Sequence, residues 1–238
     1  MKPLVIIPTY NEKENIGEMV PYVLNLNGGF DILVVDDNSP DGTARIVKNL
    51  QQQYPERLFL LERAKKEGLG KAYVAGFRWA LRYQYDYIFE MDADFSHPPK
   101  DLLRLLKVIQ NDEADVSVGS RYLKGKINVV NWDLKRILLS YFASLYVRLI
   151  TGMPVYDTTA GFVGYKKEVL QSFDFDKIEF VGYAFQIEMK YKAWKKGFRI
   201  REIPIIFTDR VKGKSKMNGS IITEAIWGVL KMRFKKTV

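Results

Sequence analysis

What most constrains this chain is a rhythm of short apolar runs. They occupy residues 4–7, 30–35, 58–61, 87–91 and 116–119, and between them apolar residues recur every three or four positions. Runs this short, with no alternation, suit strands covered on both faces. By contrast Ile16, Met19, Val20, Val23 and Leu24 share one helix face, as do Leu102, Leu103, Leu106 and Ile109. Strands alternating with helices at this spacing predict an α/β fold with a mostly parallel central sheet and helices on both faces. At 238 residues and 47% hydrophobic, the chain is read as a single domain over 1–238 with a substantial core.

The loops after these runs hold the chemistry, because open α/β sheets bind ligands beyond the C-terminal ends of their strands. The first run leads into Pro8-Thr9-Tyr10-Asn11-Glu12, and the second into Asp36-Asp37-Asn38-Ser39-Pro40-Asp41-Gly42-Thr43. The fourth breaks into Asp92-Ala93-Asp94-Phe95-Ser96-His97 before the helix-opening Pro98-Pro99. Two carboxylates one residue apart are hard oxygen ligands suited to Mg²⁺ or Mn²⁺ held together with a diphosphate; the same pair also reads as a solvated strand end. Asn11 with Glu14 predicts a capping box for the first helix. Gly68-Leu69-Gly70 is neither the dinucleotide fingerprint nor a Walker A sequence, and predicts a close-approach loop beside a nucleotide or sugar.

With no cysteine there is no disulfide framework and no thiolate zinc site, and a single histidine argues against a histidine metal site or catalytic triad. From Arg210 onward eight basic residues face the single acid Glu224, so this end supplies +7 of the net +9. A basic end suggests an anionic partner, phospholipid or nucleic acid. Residues 133–152 predict a helix apolar nearly all round, and residues 221–236 an amphipathic one ending in Lys231, Arg233, Lys235 and Lys236. Both suit a shallow position at a membrane surface, and neither is long and apolar enough to span one. The first apolar run is too short for a leader peptide, so a cytoplasmic, peripheral location is expected.

Taken together, Val5-Ile6-Ile7-Pro8-Thr9-Tyr10-Asn11-Glu12, Val34-Val35-Asp36-Asp37-Asn38-Ser39-Pro40-Asp41-Gly42-Thr43, Asp92-Ala93-Asp94 and Gly119-Ser120-Arg121-Tyr122 resemble the inverting family 2 glycosyltransferases of GT-A fold. More narrowly, three further stretches resemble the dolichol-phosphate (polyprenol-phosphate) mannosyltransferases, in their soluble-domain-only form. These are Gly68-Leu69-Gly70-x-Ala72-Tyr73, Asp157 to Phe162, and Phe207-x-Asp209-Arg210-x-x-Gly213-x-Ser215-Lys216. The resemblance covers residues 4 to about 235 and implies transfer of mannose from GDP-mannose to a polyprenyl phosphate.

It further implies donor binding by Pro8, Tyr10, Glu12, Val35, Asp37, Asp92, Ala93, Asp94, Arg210 and Lys216. A metal falls to Asp94 and Ser96, catalytic roles to Asp92, Asp94 and Arg121, and the acceptor phosphate to Arg121, Arg136 and Ser140. On the residues alone, Glu12 also reads as a helix-initiating acid and Asp37 as a turn former. Two departures stand out: Ser96 where some members have glutamine, and Phe162-Val163 where Phe-Arg is common. A glucosyltransferase using UDP-glucose and a non-catalytic basic binding module are the alternatives. Nucleic acid is disfavoured, since the basic end alternates with a continuous apolar face rather than with stacking aromatics.

Overall fold

The computed structural model describes residues 1–123, 125–209 and 219–234, and of residues 183 and 219–226 the backbone alone. Arg210, Lys216, Lys235 and Lys236 lie outside the described residues. The first half follows the sequence rhythm: β1 (Pro3–Thr9), α1 (Lys13–Leu24), β2 (Asp31–Asp36), α2 (Thr43–Gln51), β3 (Leu58–Glu62), α3 (Leu69–Arg82), β4 (Tyr87–Glu90), α4 (Asp101–Gln110) and β5 (Val116–Ser120). Short pieces β6 (Tyr122–Leu123), β7 (Lys126–Ile127) and β8 (Val129–Val130) lead into α5 (Leu134–Thr151). The rest comprises β9 (Val163–Lys166), α6 (Lys167–Gln171), α7 (Tyr183–Lys195), β10 (Ile200–Pro204), β11 (Phe207–Thr208) and α8 (Gly219–Phe234).

Seven strands form one sheet in the order β10-β5-β9-β4-β1-β2-β3, parallel throughout except at β9. Successive side chains of a strand point to opposite faces, and two cores result. Leu4, Ile6, Leu33 and Val35 meet Tyr73, Phe77 and Phe185 on one face, while Val5, Ile7, Ile32 and Val34 meet Ile16, Met19 and Leu102 on the other. The antiparallel β9 matters for the site. Its first residue, Val163, pairs with Glu90 of β4 and Val118 of β5 at the ends where those strands finish. The preceding segment, residues 157–162, is thereby delivered to the same sheet edge as Asp92, Asp94 and Arg121.

One sequence expectation is corrected. The start of α1 is not closed by a capping box: Glu12 is the cap, its side chain makes no hydrogen bond to a backbone N–H of the first turn, and Asn11 has φ 58°. The backbone N–H groups of Asn11, Glu12 and Lys13 donate instead to Ser39 Oγ, Thr43 Oγ1 and Asp41 Oδ2, so the loop after β2 caps α1 across space. At Gly68 and Gly70 the chain comes close to the 180–181 segment of the protein. Gly68 has φ 103° with Val181 alongside, and a Cβ on Gly70 would stand 2.8 Å from Phe180 O, with Gly70 N donating to Val181 O.

α5 begins at Asp133, whose carboxylate accepts from Arg136 N, and buries only Ser144, Val147 and Thr151. Leu134, Leu138, Leu139, Phe142 and Leu149 face outward. α8 packs on α5 and α7, seating Val229 and Met232 inward and leaving Trp227 and Phe234 at 72% and 80% exposure. Lys231 reaches Glu179 at 2.6 Å. Among the described residues no helix is long and apolar enough to cross a membrane.

Candidate active site

The floor of the site is the turn after β4. Asp92 has a side chain 39% exposed, Ala93 is buried, and Asp94 is nearly so, its Oδ1 accepting from Ser96 N at 3.1 Å and Ser96 Oγ at 2.6 Å. His97 braces the turn from beneath: its Nδ1 accepts from Asp92 N at 3.3 Å and its ring stacks on Phe162 at 5.0 Å. Burial pushes the imidazole down to about 4, with Asp94 opposing and Arg121 assisting, so His97 is neutral and serves as an acceptor.

Behind the turn lies a polar group inside the core. Glu90, the last residue of β4, accepts from Gln186 Nε2 and from the Tyr165 hydroxyl. Lys190 Nζ donates to Ala160 O at 2.7 Å and Gln186 O at 2.9 Å. Burial pushes the Glu90 carboxyl up to about 8 and the Lys190 ammonium down to about 8. The sequence signal was a charged residue inside an otherwise apolar run, at Glu90 and again at Lys190; only their burial shows that, through Gln186, they join β4 to the 157–162 segment.

Among the residues expected to bind the donor, Tyr10 carries Lys66 Nζ over its ring at 4.5 Å. Glu12 Oε2 accepts from Asn15 Nδ2 at 2.9 Å. Asp37 pairs with Arg63 at 2.8 Å, and its carboxyl is raised by burial against the pull of that guanidinium. Asp36 is structural, accepting from Thr9 Oγ1, Ser39 N and Ser39 Oγ. Pro8 is partly exposed at the end of β1. Its ladder neighbour Val35 is fully buried among core side chains, so among the donor candidates Val35 presents no side-chain surface to the cleft.

Among the residues expected to hold the acceptor phosphate, Arg121 grips fully buried Asp157 through Nε and Nη2, at 2.8 and 2.7 Å, and reaches Thr159 Oγ1 at 2.8 Å. Arg136 donates to Asp209 at 2.7 Å and lies 4.1 Å over the Trp132 ring. The Arg121 guanidinium is 5.6 Å from that same ring and from Phe207. Ser140, one turn beyond Arg136, lies beside the Tyr122 phenol. Phe207 packs edge-on to both His97 and Trp132, and Thr208 N donates to Ser96 O, which joins these residues to the Asp94 turn. Sequence reading placed Asp157 and Asp209 in stretches that resemble the family but gave them and Trp132 no partners, because the arginines they meet lie 36, 73 and a few residues away and only the fold brings each pair together.

Asp92, Asp94 and the Ser96 hydroxyl form a hard-oxygen set that fits a divalent metal. Among the described residues no group of three or more acidic or histidine side chains surrounds one position. The set therefore suits an ion whose remaining ligands come from a diphosphate and water.

The model of the family described as "Glycosyl transferase family 2" matches residues 4–173. Over 96% of its length the chain is 45% identical to polyprenol monophosphomannose synthase of Mycolicibacterium smegmatis, covering 87% of that protein. It is 42% identical to undecaprenyl-phosphate mannosyltransferase of Micrococcus luteus, over 96% of this chain and 95% of that one. Glucosyl-3-phosphoglycerate synthase from Mycobacterium tuberculosis, solved with Mn²⁺ and UDP, superposes with a TM-score of 0.72 at 16% identity, covering 98% of this chain and 80% of that one. Mannosyltransferase PcManGT from Pyrobaculum calidifontis, in complex with GDP-Man and Mn²⁺, does so at 0.59 and 17%, over 97% and 69%. These two likenesses establish the GT-A-like fold, and with the family match and the sequence identities the chain belongs to glycosyl transferase family 2.

Proposed function

We propose that this protein transfers mannose from GDP-mannose to a polyprenyl phosphate, with inversion at the anomeric carbon, on the cytoplasmic face of a membrane. The observation that carries the reading is the convergence on one sheet edge of the Asp92-Ala93-Asp94 turn and two guanidiniums, Arg121 and Arg136. One side suits a diphosphate and the other a phosphate. The names of the relatives at 45% and 42% identity support mannose and a polyprenyl phosphate as the partners.

Mg²⁺ or Mn²⁺ held by Asp94 and the Ser96 hydroxyl, with Asp92 nearby, would neutralise the leaving diphosphate. Tyr10 offers a face for the base, and Glu12 and Asp37 accept hydrogen bonds from base or ribose. Pro8 and Ala93 shape that cleft, and Arg210 and Lys216 are proposed to reach the donor diphosphate. The acceptor phosphate, with a second pKa near ~6, is largely dianionic at neutral pH and attacks without a general base. Neutral, buried His97 is therefore left to shape the turn. Arg121, Arg136 and Ser140 hold the attacking phosphate in place.

The outward apolar side chains of α5 and of Trp227 and Phe234 on α8, with Lys231 and Arg233 beside them, suit contact with an anionic leaflet. A transfer assay crossing GDP-mannose, GDP-glucose and UDP-glucose with short and long polyprenyl phosphates tests the reading. GDP-mannose should give the highest rate by at least tenfold; a higher rate with UDP-glucose would replace mannose by glucose as the sugar.

A further inference from the structure

The two acceptor-side arginines are held by carboxylates of opposite character. Arg121 meets Asp157 with two nitrogens, and Asp157 is fully buried. Arg136 meets Asp209 with one nitrogen at 2.7 Å, and the two side chains are 27% and 28% exposed. Removing one partner of a fully buried pair strands a charge in the interior, whereas in a pair that is partly exposed water can take over part of what the lost partner supplied. An incoming phosphate therefore cannot displace Asp157 from Arg121 without stranding its carboxylate, but it can exchange for Asp209 on Arg136.

We infer that Asp209 is an intramolecular competitor for the acceptor phosphate. It occupies Arg136 when no acceptor is bound, yields to a dianionic phosphate monoester, and retakes the guanidinium after transfer. The inference rests on the reading of Arg136 as an acceptor-phosphate cation.

Transfer itself supplies the change that favours the return of Asp209. A phosphate oxygen of the acceptor bonds to the anomeric carbon, and the bond from that carbon to the donor diphosphate breaks. Its electron pair leaves with the nucleoside diphosphate, and no proton moves. The acceptor passes from monoester dianion to diester monoanion, and the nucleotide gains the charge that the acceptor loses. A monoanion is held less strongly by one guanidinium than a dianion at the same distance, so the same carboxylate that yields to substrate displaces product.

The seat survives the exchange because neither partner depends on the other for its position. The Arg136 guanidinium rests on the Trp132 ring at 4.1 Å, and Asp209 N donates to Val130 O at 3.1 Å.

The test is steady-state kinetics with a short-chain polyprenyl phosphate, plus inhibition by the corresponding mannosyl phosphodiester. Asp209→Asn should lower the acceptor KM and the product inhibition constant by the same factor, about two- to fivefold, the size of an ion pair that water can reach. The GDP-mannose KM should stay fixed. In the background of Arg136→Ala, which should itself raise the acceptor KM, Asp209→Asn should have no further effect. If Arg136→Ala raises the acceptor KM while Asp209→Asn raises it too or leaves it unchanged, Asp209 positions Arg136 rather than competing, and the inference is overturned while the reading of Arg136 stands. If Arg136→Ala leaves the acceptor KM unchanged, that reading fails and the inference with it.

Discussion

At the scale of single residues the site depends on a few charges whose surroundings differ. Asp94 is nearly buried and accepts from Ser96, while Asp92 is more open. Asp94→Ala should therefore lower transfer by ~10²-fold or more, the usual result of losing a key charge-stabilising group. It should also abolish metal-dependent donor binding, measured by calorimetry with Mn²⁺ present and absent. More than about a tenth of wild-type activity at saturating Mn²⁺ would remove Asp94 from the metal site.

His97 gives a pH prediction of definite sign. It is the single histidine of the chain, and burial lowers it to about 4 in the folded protein. A group depressed on folding contributes its full stability above its unfolded value of ~6.5 and loses it as pH falls toward the folded value. Metal-free protein should lose on the order of 3 kcal/mol from this group between pH 6.5 and 4. His97→Gln should flatten that part of a urea-unfolding series, and an unchanged slope would show that His97 is not the group responsible.

At the scale of elements, local signals and tertiary bonds divide the work. The apolar faces of α1 and α4 are legible in sequence, because a helix repeats every 3.6 residues and both faces are buried. The cap of α1 is not, since Ser39, Asp41 and Thr43 reach it from the loop after β2. Asp41 also accepts from Thr43 N and Thr43 Oγ1, and these bonds hold its carboxyl below the ordinary range against the opposing effect of burial. Asp41→Ala should cost about 1 to 2 kcal/mol in chemical denaturation. It should also weaken donor binding, because the loop it closes follows directly on Asp37. Asn11→Gly, which keeps the left-handed backbone at φ 58°, should cost less, since no bond of the Asn11 side chain caps the helix; the reverse ranking would restore a local capping box.

At the scale of the whole molecule the proposed acceptor requires a chain whose described helices do not span a bilayer to reach a lipid from the surface. Truncating α8 would be a poor test, because Val229 and Met232 are buried and their loss would open the core. Changing Trp227 and Phe234 to Ser removes only outward apolar area. The intact protein should sediment with phosphatidylglycerol-containing vesicles at low salt and release at high salt, each cation near the leaflet adding ~1 kcal/mol. The double variant should bind about tenfold less with its melting temperature unchanged. Equal binding would assign the outward face of α8 to something other than a membrane.

What the sequence determined alone is what periodicity and local chemistry can encode. It set which runs are strands, which faces are apolar, and where carboxylates interrupt a strand end at Asp92 and Asp94. The tertiary structure decided what only partners distant in the chain can decide. The sheet order inserts β9 antiparallel between β4 and β5, which brings Asp157 to Arg121 across 36 residues. β11 brings Asp209 to Arg136 across 73. The sequence marks each arginine as a cation but not how available its charge is. That availability is set by the burial of its carboxylate partner, complete for Asp157 and partial for Asp209, and burial belongs to the packed chain alone.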